Sequence, residues 1–534
     1  MKIPFLGGAY EGRSTSVASE TCVNFFYEKG AGGECLVGSH GYELVLGLET
    51  HFVPEIPIRG GIVYNDKAYI VRGNSFGTLT NLRDVISPRP PLGGQPGNYV
   101  ELGTLKTESG IVSMAHNGVR AGANQQIMVV DGQYGYIWDN VAQTFTQITD
   151  TDFVATDVVQ YIDGYFIFPQ KSGSDRFWIT EQYDGTSIDP ADFATAEGWP
   201  DALLNITVDN REVFLFGSET VEVWYNSGDS DNTFQRFQGG FKQHGCAARF
   251  SPKRIDNTVM WLSQNDRGDR QVVKFGSGYM PEVVSSPELN YEMAQYPTVS
   301  DAFAYTYQFE GHEFYVINFP SAEKTWAYDA STGHWHRRVR TPSWVDNWVG
   351  ENFTMHLFIS GMHIFGDKWG HVWRADSTRG GFGSAIAEPG SSIRITTYEV
   401  MPRERTTISI SDDENRTRIS SLQLDMEEGV FGGPLYQVTS GVDGTARVIK
   451  DNGGPGGAQL VTYLDDDTVY LQYSKNGGHS WSSELKRDMG NMGDWAKRVI
   501  WRKLGWARNW IFRLTFYTVQ RPILKNLIAK TYGE

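Results

Sequence analysis

One unit recurs seven times along this chain, and that recurrence limits the possible fold more than any single residue does. Each unit is a turn dipeptide, a short apolar-aromatic strand, a variable loop and a second strand centred on an aromatic residue. The first strands are Lys67 to Val71, Gln126 to Val130, Tyr165 to Phe168, Glu212 to Phe216, Thr258 to Leu262, Glu313 to Ile317 and Met362 to Phe365. Most follow Asn, Asp or Gly, the residues that hairpin turns require. Six partner strands are centred on Trp138, Trp178, Trp224, Phe275, Trp326 and Trp373, while the first unit, TLTNL, has no aromatic there. The units follow one another at 38 to 60 residues, most near 50. That interval suits one four-stranded sheet per unit, so the spacing predicts a β-propeller of about seven blades over residues 58–380. A run of meanders in a sandwich would use the same strands but not the same regular interval. The aromatic at a fixed place in each unit reads as packing between blades rather than as a ligand platform.

Composition agrees with an all-β chain: 13% aromatic residues and 59 glycines among 534 residues. Residues 1–57 read as an extended N-terminal arm, and 381–392, rich in Gly and Ser, as a linker. From 393 to 534 the pattern changes to longer alternating strands, including Ile393 to Val400, Arg418 to Met426, Val469 to Ser474 and Trp510 to Thr518, expected to form a C-terminal β-sandwich. DNGGPGGAQ, residues 451–459, reads as a mobile loop.

The charge of −16 argues against a protein whose main work is gripping nucleic acid, since phosphate binding depends on Lys and Arg displacing counterions. The charge is uneven. From Lys486 to Glu534 there are 11 Lys+Arg against 3 Asp+Glu, which leaves −24 on the preceding residues. Cys22, Cys35 and Cys246 are odd in number and lack CxxC spacing, so they read as reduced thiols. The opening MKIPFLGGAYEGRS has too short an apolar run for a signal peptide. Nor does any window reach the roughly 18 apolar residues of a membrane span, so a soluble product made in the cytoplasm is expected.

The most specific local pattern is SKNGGHSW, an Asp-box in which Ser474, Asn476, Gly478 and Trp481 hold the conserved positions and Asn476 replaces the aspartate. It resembles the structural turn of sialidases and many other β proteins; the side chain at Asn476 bonds turn amides and Trp481 packs beneath the hairpin. A sialidase would need repeated boxes, an arginine cluster and a Tyr/Glu pair. His334 and His336 flank Trp335 and share a strand face, which could ligate a metal only with a third donor from elsewhere. A polar strand face ending in Arg337 and Arg338 explains them without one. Asp465, Asp466 and Asp467, or Glu427 and Glu428, read as solvated turns. No phosphate loop, GxSxG elbow or HExxH is present, so no catalytic residue, cofactor or metal site is assigned. Near the end, Arg498, Arg502, Lys503, Arg508 and Arg513 interleave with Trp501, Trp506, Trp510 and Phe512. This strip can face DNA or the acidic surface of a neighbouring subunit, or be an amphipathic strand pair with tryptophans inward and arginines in water.

IPFLGGAYEGRS, then ETCVNFFYE (20–28) and LVGSHGYELVLGL (36–48), resembles the opening of the tail-hub or packaged-DNA stabilisation proteins of short-tailed phages: an arm, a V-N-x-x-x-E segment and a G-x-x-L-x-x-G-L turn. LQYSKNGGHSW followed by RVIWRKLGWARNWIFRLTF resembles that family's terminal hairpin and basic-aromatic strands. DRFWIT (175–180) and AYDASTGHW (327–335) recur between them, so the resemblance spans nearly the whole chain. SHGY at 39–42 departs from the Pro-Gly turn of many relatives. The resemblance implies a virion structural protein, not an enzyme. It implies a homo-oligomeric ring, sixfold, below the portal and its adaptor, that plugs or extends the DNA channel and carries tailspikes or fibres and a needle or other closure protein. Double-stranded DNA would pass it in transit. The rival expectations are a carbohydrate-active, sialidase-like propeller with two carboxylates roughly 5 to 10 Å apart, and a carbohydrate-binding module with sugar-stacking tryptophans.

Overall fold

The computed structural model describes the chain outside residues 15, 31, 47–55, 81, 83–98, 172, 197, 200, 230–232, 265–267, 269, 341–347, 379, 388–393, 412–414, 429–437, 440–445, 448–466, 491–492 and 534. Seven antiparallel sheets follow one another along the chain as blades. Blade 1 is Ile58–Tyr64, Lys67–Arg72, Ser75–Leu79 and Tyr99–Thr104; blade 2 runs from Ser113–His116 to Thr144–Gln147. Blade 3 runs from Gln160–Ile162 to Phe193–Thr195, and blade 4 from Leu203–Asp209 to Phe234–Lys242. In blade 5 the first strand is split into Gly245–Cys246 and Lys253–Ile255, and the last is Pro281–Val283. Blade 6 runs from Phe303–Phe309 to His334–Arg337; blade 7 has Phe353–Ile359, Met362–Asp367 and Val372–Asp376.

Local turn chemistry explains why the hairpins form. In six blades the first two strands are joined by two residues that both have positive φ: Asn65 and Asp66, Asp163 and Gly164, Asn210 and Arg211, Asp256 and Asn257, Glu310 and Gly311, Ser360 and Gly361. Two such residues make the turn whose twist matches the flanking strands, and Asn, Asp and Gly reach it at least cost. Blade 2 is the exception, with a longer connection between His116 and Gln126.

The first strands of successive blades lie side by side, and that of blade 7 returns to that of blade 1, closing the wheel. Apolar clusters sit between neighbouring blades, and one joins blades 5 and 6 to the sandwich. Tyr69, Val71 and Phe76 of blade 1 meet Ile127, Val129 and Trp138 of blade 2, and Phe214 and Phe216 of blade 4 meet Trp261 and Phe275 of blade 5. The closing cluster joins Met355, Leu357 and Ile364 to Ile58, Ala68 and Ile70. Blade 7 approaches so closely there that a Cβ on Gly366 would lie 2.5 Å from Ile58 Cγ2. All six recurrent aromatics, from Trp138 to Trp373, are buried in these seams. An apolar strand face cannot be covered by its own thin sheet, so ring closure is what buries it.

The segment expected as an extended arm is instead woven into both domains. Lys2–Ile3 pairs with Ile523–Gly533; Cys22–Val23 bridges blade 6 to Arg403–Thr406; Phe25–Gly30 and Gly33–Gly38 form a hairpin on the sandwich; and Gly41–Leu46 is the fourth strand of blade 7. The expected linker also differs, because Gly381–Ala387 is a strand beside Gly41–Leu46. Unpaired edges explain both: the chain leaves blade 7 after three strands, and a buried ladder must find donors and acceptors elsewhere. The sandwich has one sheet in the order Val499–Ala507, Thr417–Met426, Ile523–Gly533, Gly33–Gly38, Phe25–Gly30. Its other sheet continues blade 6 through Cys22–Val23, Arg403–Thr406, Asn509–Tyr517, Thr468–Ser474 and Leu485–Asp488.

Candidate functional site

The basic strip is divided between two places. Along Val499–Ala507 the side chains of Val499, Trp501, Leu504 and Ala507 are buried, while Arg502, Lys503 and Trp506 are exposed. Two consecutive cations point outward because Lys503 has φ 64° and the register slips opposite Ile419 to Ser421, a bulge. Arg498 and Arg508 flank the strand and are exposed as well. Trp501 donates Nε1–H to the Leu485 carbonyl at 2.7 Å, and Trp510 to that of Thr417 at 3.1 Å. Arg513 turns the other way, lying 3.9 Å over the Trp481 ring and 3.7 Å from Glu404. Four cations of the strip therefore face outward, and the fifth is absorbed by the Asp-box.

In that box the buried Ser474 hydroxyl donates to Asn476 Oδ1 at 2.9 Å and accepts from the Gly478 amide at 2.9 Å. Asn476 Oδ1 also accepts from the Ser480 amide at 3.0 Å. Gly478 has φ 94°, which a side chain would strain. The side-chain oxygens of Ser474 and Asn476 are spent on the turn itself, which closes the hairpin of Thr468–Ser474 and Leu485–Asp488.

His334 and His336 are drawn to different partners. His334 Nδ1 lies 3.2 Å from the Tyr10 hydroxyl, whereas the buried His336 accepts from Arg338 Nε at 3.0 Å. Burial, reinforced by Arg338, holds His336 well below the ordinary histidine range. Among the described residues no three His, Cys, Asp or Glu side chains group as a metal site. Asp465 and Asp466 lie outside the described residues. Cys22 and Cys246 are buried thiols pushed up to about 11 and about 12 by desolvation, so neither is a ready nucleophile.

Sequence reasoning missed the joint between wheel and sandwich, which is built on buried arginines. Arg405 donates to the Phe5, Gly8 and Thr21 carbonyls at 2.6, 2.7 and 3.1 Å and pairs with Glu20 at 3.0 Å. Arg403 donates to the carbonyls of Gly380 at 2.6 Å and Thr518 at 3.0 Å; burial, then the neighbouring Arg521, pull it down to about 9. Arg340 reaches Asp367 at 3.5 Å, which also accepts from Trp373 Nε1 at 2.9 Å and contacts His371 at 3.0 Å. Asn24, with φ 54°, donates to the Val339 and Pro402 carbonyls at 2.8 and 2.7 Å. Two signals were present: the Asn of ETCVNFFYE, and Arg403 and Arg405 two apart in PRERT, hence on one strand face.

A closed wheel of seven blades welded to a β-sandwich defines the class as a β-propeller protein with a C-terminal sandwich. Residues 1–373 match the family described as Bacteriophage P22 Gp10, beta-propeller, and residues 449–531 match Bacteriophage P22 Gp10, beta-sandwich. The chain belongs to this bacteriophage P22 Gp10 family of tail-hub/DNA stabilisation proteins, and is a structural phage tail protein of the virion. No curated protein matches it. Among solved structures it is similar to virginiamycin B lyase from Staphylococcus aureus at 10% identity and TM-score 0.41, covering 62% of this chain and 97% of that one. YCF48 from Cyanidioschyzon merolae gives 10% and 0.39, covering 63% and 99%, and the N-terminal domain of Nup159 gives 11% and 0.38, covering 67% and 98%.

Proposed function

We propose that this chain is one subunit of a ring-shaped hub, sixfold, that extends and closes the DNA channel below the portal and its adaptor. In that place it stabilises packaged DNA, anchors tailspikes or fibres and a needle or closure protein, and performs no catalytic step. It joins the particle in the host cytoplasm. The observation that carries this reading is the ordered match of both domains to one tail family. The strand-by-strand weld of blades 6 and 7 to the sandwich supports it, since paired backbones transmit load between domains without a hinge. Charge supports it too: the −24 that precedes the basic C-terminal stretch lets phosphate slide past without being held.

The experiment is particle assembly without this chain. Phage lacking it are expected to fill with DNA and then lose it to added nuclease, to bind no tailspikes, and to be restored by the purified protein. Particles that keep their genome and their spikes without it would overturn the proposal, as would glycan hydrolysis by the purified chain, which belongs to the sialidase-like alternative.

A further inference from the structure

Blades 4 and 5 share an exposed aromatic surface. Between them a cleft of about 480 Å³ opens beside the turns Asn210–Arg211 and Asp256–Asn257. Its wall carries Glu212, Asp256 and Glu282 against one cation, Lys274, and Tyr279 donates its hydroxyl to Glu212. The apolar surface continues outward: the Tyr279 ring lies 5.5 Å from that of Phe237, and Phe237, Met280 and Val283 are 43%, 57% and 50% exposed. The last strands of these blades, Phe234–Lys242 and Pro281–Val283, pair only within their own sheets. A patch of this kind on a soluble wheel marks a contact.

The complementary surface lies elsewhere on the same chain. Trp506, 39% exposed and with the Arg418 guanidinium 6.0 Å from its ring centre, lies on the strand that also exposes Arg502 and Lys503 and is followed by the exposed Arg508. Among the described residues no ion pair is formed by Arg502, Lys503 or Arg508. Strand order sets this edge four strand spacings, roughly 19 Å, from Phe25–Gly30, the sandwich strand that touches blade 6. The strip thus lies at the opposite edge of the sheet from the strand that touches blade 6. A cation-flanked tryptophan on one side and an acid-flanked aromatic cleft on the other are opposite halves of one contact that a single chain cannot make with itself.

We infer that the Trp506 edge of one copy seats in the cleft between blades 4 and 5 of the next copy, a head-to-tail contact. The inference rests on the hub reading and supplies its interface. Two different surfaces in contact repeat from copy to copy until they close into a ring. Charge opposition sets the order of approach, and the buried aromatics hold it.

The full-length chain tests this in sedimentation velocity and mass photometry, using Arg502→Glu with Arg508→Glu, and separately Asp256→Lys with Glu282→Lys. All four side chains are exposed, and circular dichroism checks that each variant folds. Wild type is expected to self-associate, more weakly at high salt, and each double variant to sediment as a monomer with at least a tenfold loss of association. Mixed together, the two variants should associate again in alternation, because the intact strip meets the intact cleft and the reversed strip meets the reversed cleft. The chain carrying all four reversals should associate again. Wild-type protein that stays monomeric at every concentration overturns the inference, as do variants that associate like wild type. If the strip variant loses binding to a linear DNA duplex but not self-association, the strip serves DNA and the inference falls. Phage built with freely associating variants that still retain their genome would fail this interface while leaving the hub reading intact.

Discussion

Blades 1 to 5 and blades 6 and 7 solve the same problem in opposite ways. The first five complete their sheets with strands adjacent in sequence, whereas blades 6 and 7 continue through N-terminal strands into the sandwich. Blade 7 takes its fourth strand from residues more than 300 positions earlier, with Tyr42 opposite Ala375. The seams differ as well. Between blades 1 and 2 the apolar cluster is accompanied by hydrogen bonds, Tyr69 to Asn140 at 2.9 Å and the buried Arg59 to the Thr107 and Ser109 carbonyls at 2.7 and 2.6 Å. At blades 6 and 7 the apolar cluster is bordered by the buried charged pairs Arg338 with Glu351 and Arg340 with Asp367. The hydrophobic effect, which tolerates rearrangement, holds every seam; blades 6 and 7 add buried ion pairs and backbone ladders shared with the sandwich, which fix one orientation of it.

The largest effect should come from removing residues 1–46. This strips blade 7 of its outer strand, takes the backbone partners of Arg405 and removes Asn24, which tethers Val339 and Pro402. We expect aggregation, with limited proteolysis releasing a protected fragment from blades 1 to 5. A truncated chain that stays monomeric and keeps the wild-type melting temperature would erase the distinction between the two groups of blades. Next in size is Asp367→Ala, which leaves Arg340, His371 and the Trp373 N–H facing an apolar gap. Breaking a buried pair in this way costs about 3 to 5 kcal/mol. Asp131→Ala in blade 2 loses turn bonds to the amides of Gln133 and Tyr134 and should cost about 1 to 2 kcal/mol; urea titration measures both losses.

The two groups were unequally visible beforehand. Strand alternation and turn pairs such as Asn65 and Asp66 are local, so the hairpins and their number could be read along the chain. Pairings such as Lys2 with Ile528 depend on edges that exist only after folding, and the strands concerned can be two residues long. Gly381–Ala387 looked like a linker because small residues suit both a loop and a strand pressed between two others. The buried arginines escaped notice because their acceptors are mostly backbone carbonyls, which no residue type announces. On the basic strip the alternation was legible, but the bulge at Lys503, which coincides with Trp506 facing outward, was not.

Acid should separate the groups further. Burial, then Arg338, holds His40 and His336 well below the ordinary histidine value, so they stay neutral in the folded joint. In the unfolded chain they take up protons near pH 6.5, so stability is complete above that value and falls as pH drops below it. The slope is at most about 1.4 kcal/mol per pH unit for each histidine. His312 runs the other way: burial pulls it down, but the hydrogen bond and charge of Asp329 outweigh this and hold it above its ordinary value. It contributes below pH 6.5 and loses that contribution as pH rises through its folded value. His334, His356 and His363 are held down by burial as well. With five histidines against one, hydrogen exchange corrected for its intrinsic rate is expected to quicken at blades 6 and 7 between about pH 6.5 and 5, while blades 1 and 4 hold their protection. Uniform quickening around the wheel would show that the joint opens only with the whole fold.

The smallest effect tests whether a blade is a local unit. Arg211 in blade 4 and Ser360 in blade 7 occupy corresponding turns at φ 65° and 52°, where any side chain is strained. Glycine relieves that strain by at most about 1 to 2 kcal/mol, offset by its greater freedom in the unfolded chain, for a net gain of about 1 kcal/mol or less. Arg211→Gly also loses the ion pair with Asp163, but the arginine is 80% exposed and the pair is worth little. The two substitutions should therefore give similar gains in global stability, and their difference should lie in where protection spreads. Arg211→Gly should slow exchange only within blade 4 and its immediate seams. Ser360→Gly sits in a sheet that runs through Gly41–Leu46 to Gly381–Ala387, so its protection should extend along those strands. Confinement of both effects to their own hairpins would mean that the shared sheet is continuous in geometry but not in energy.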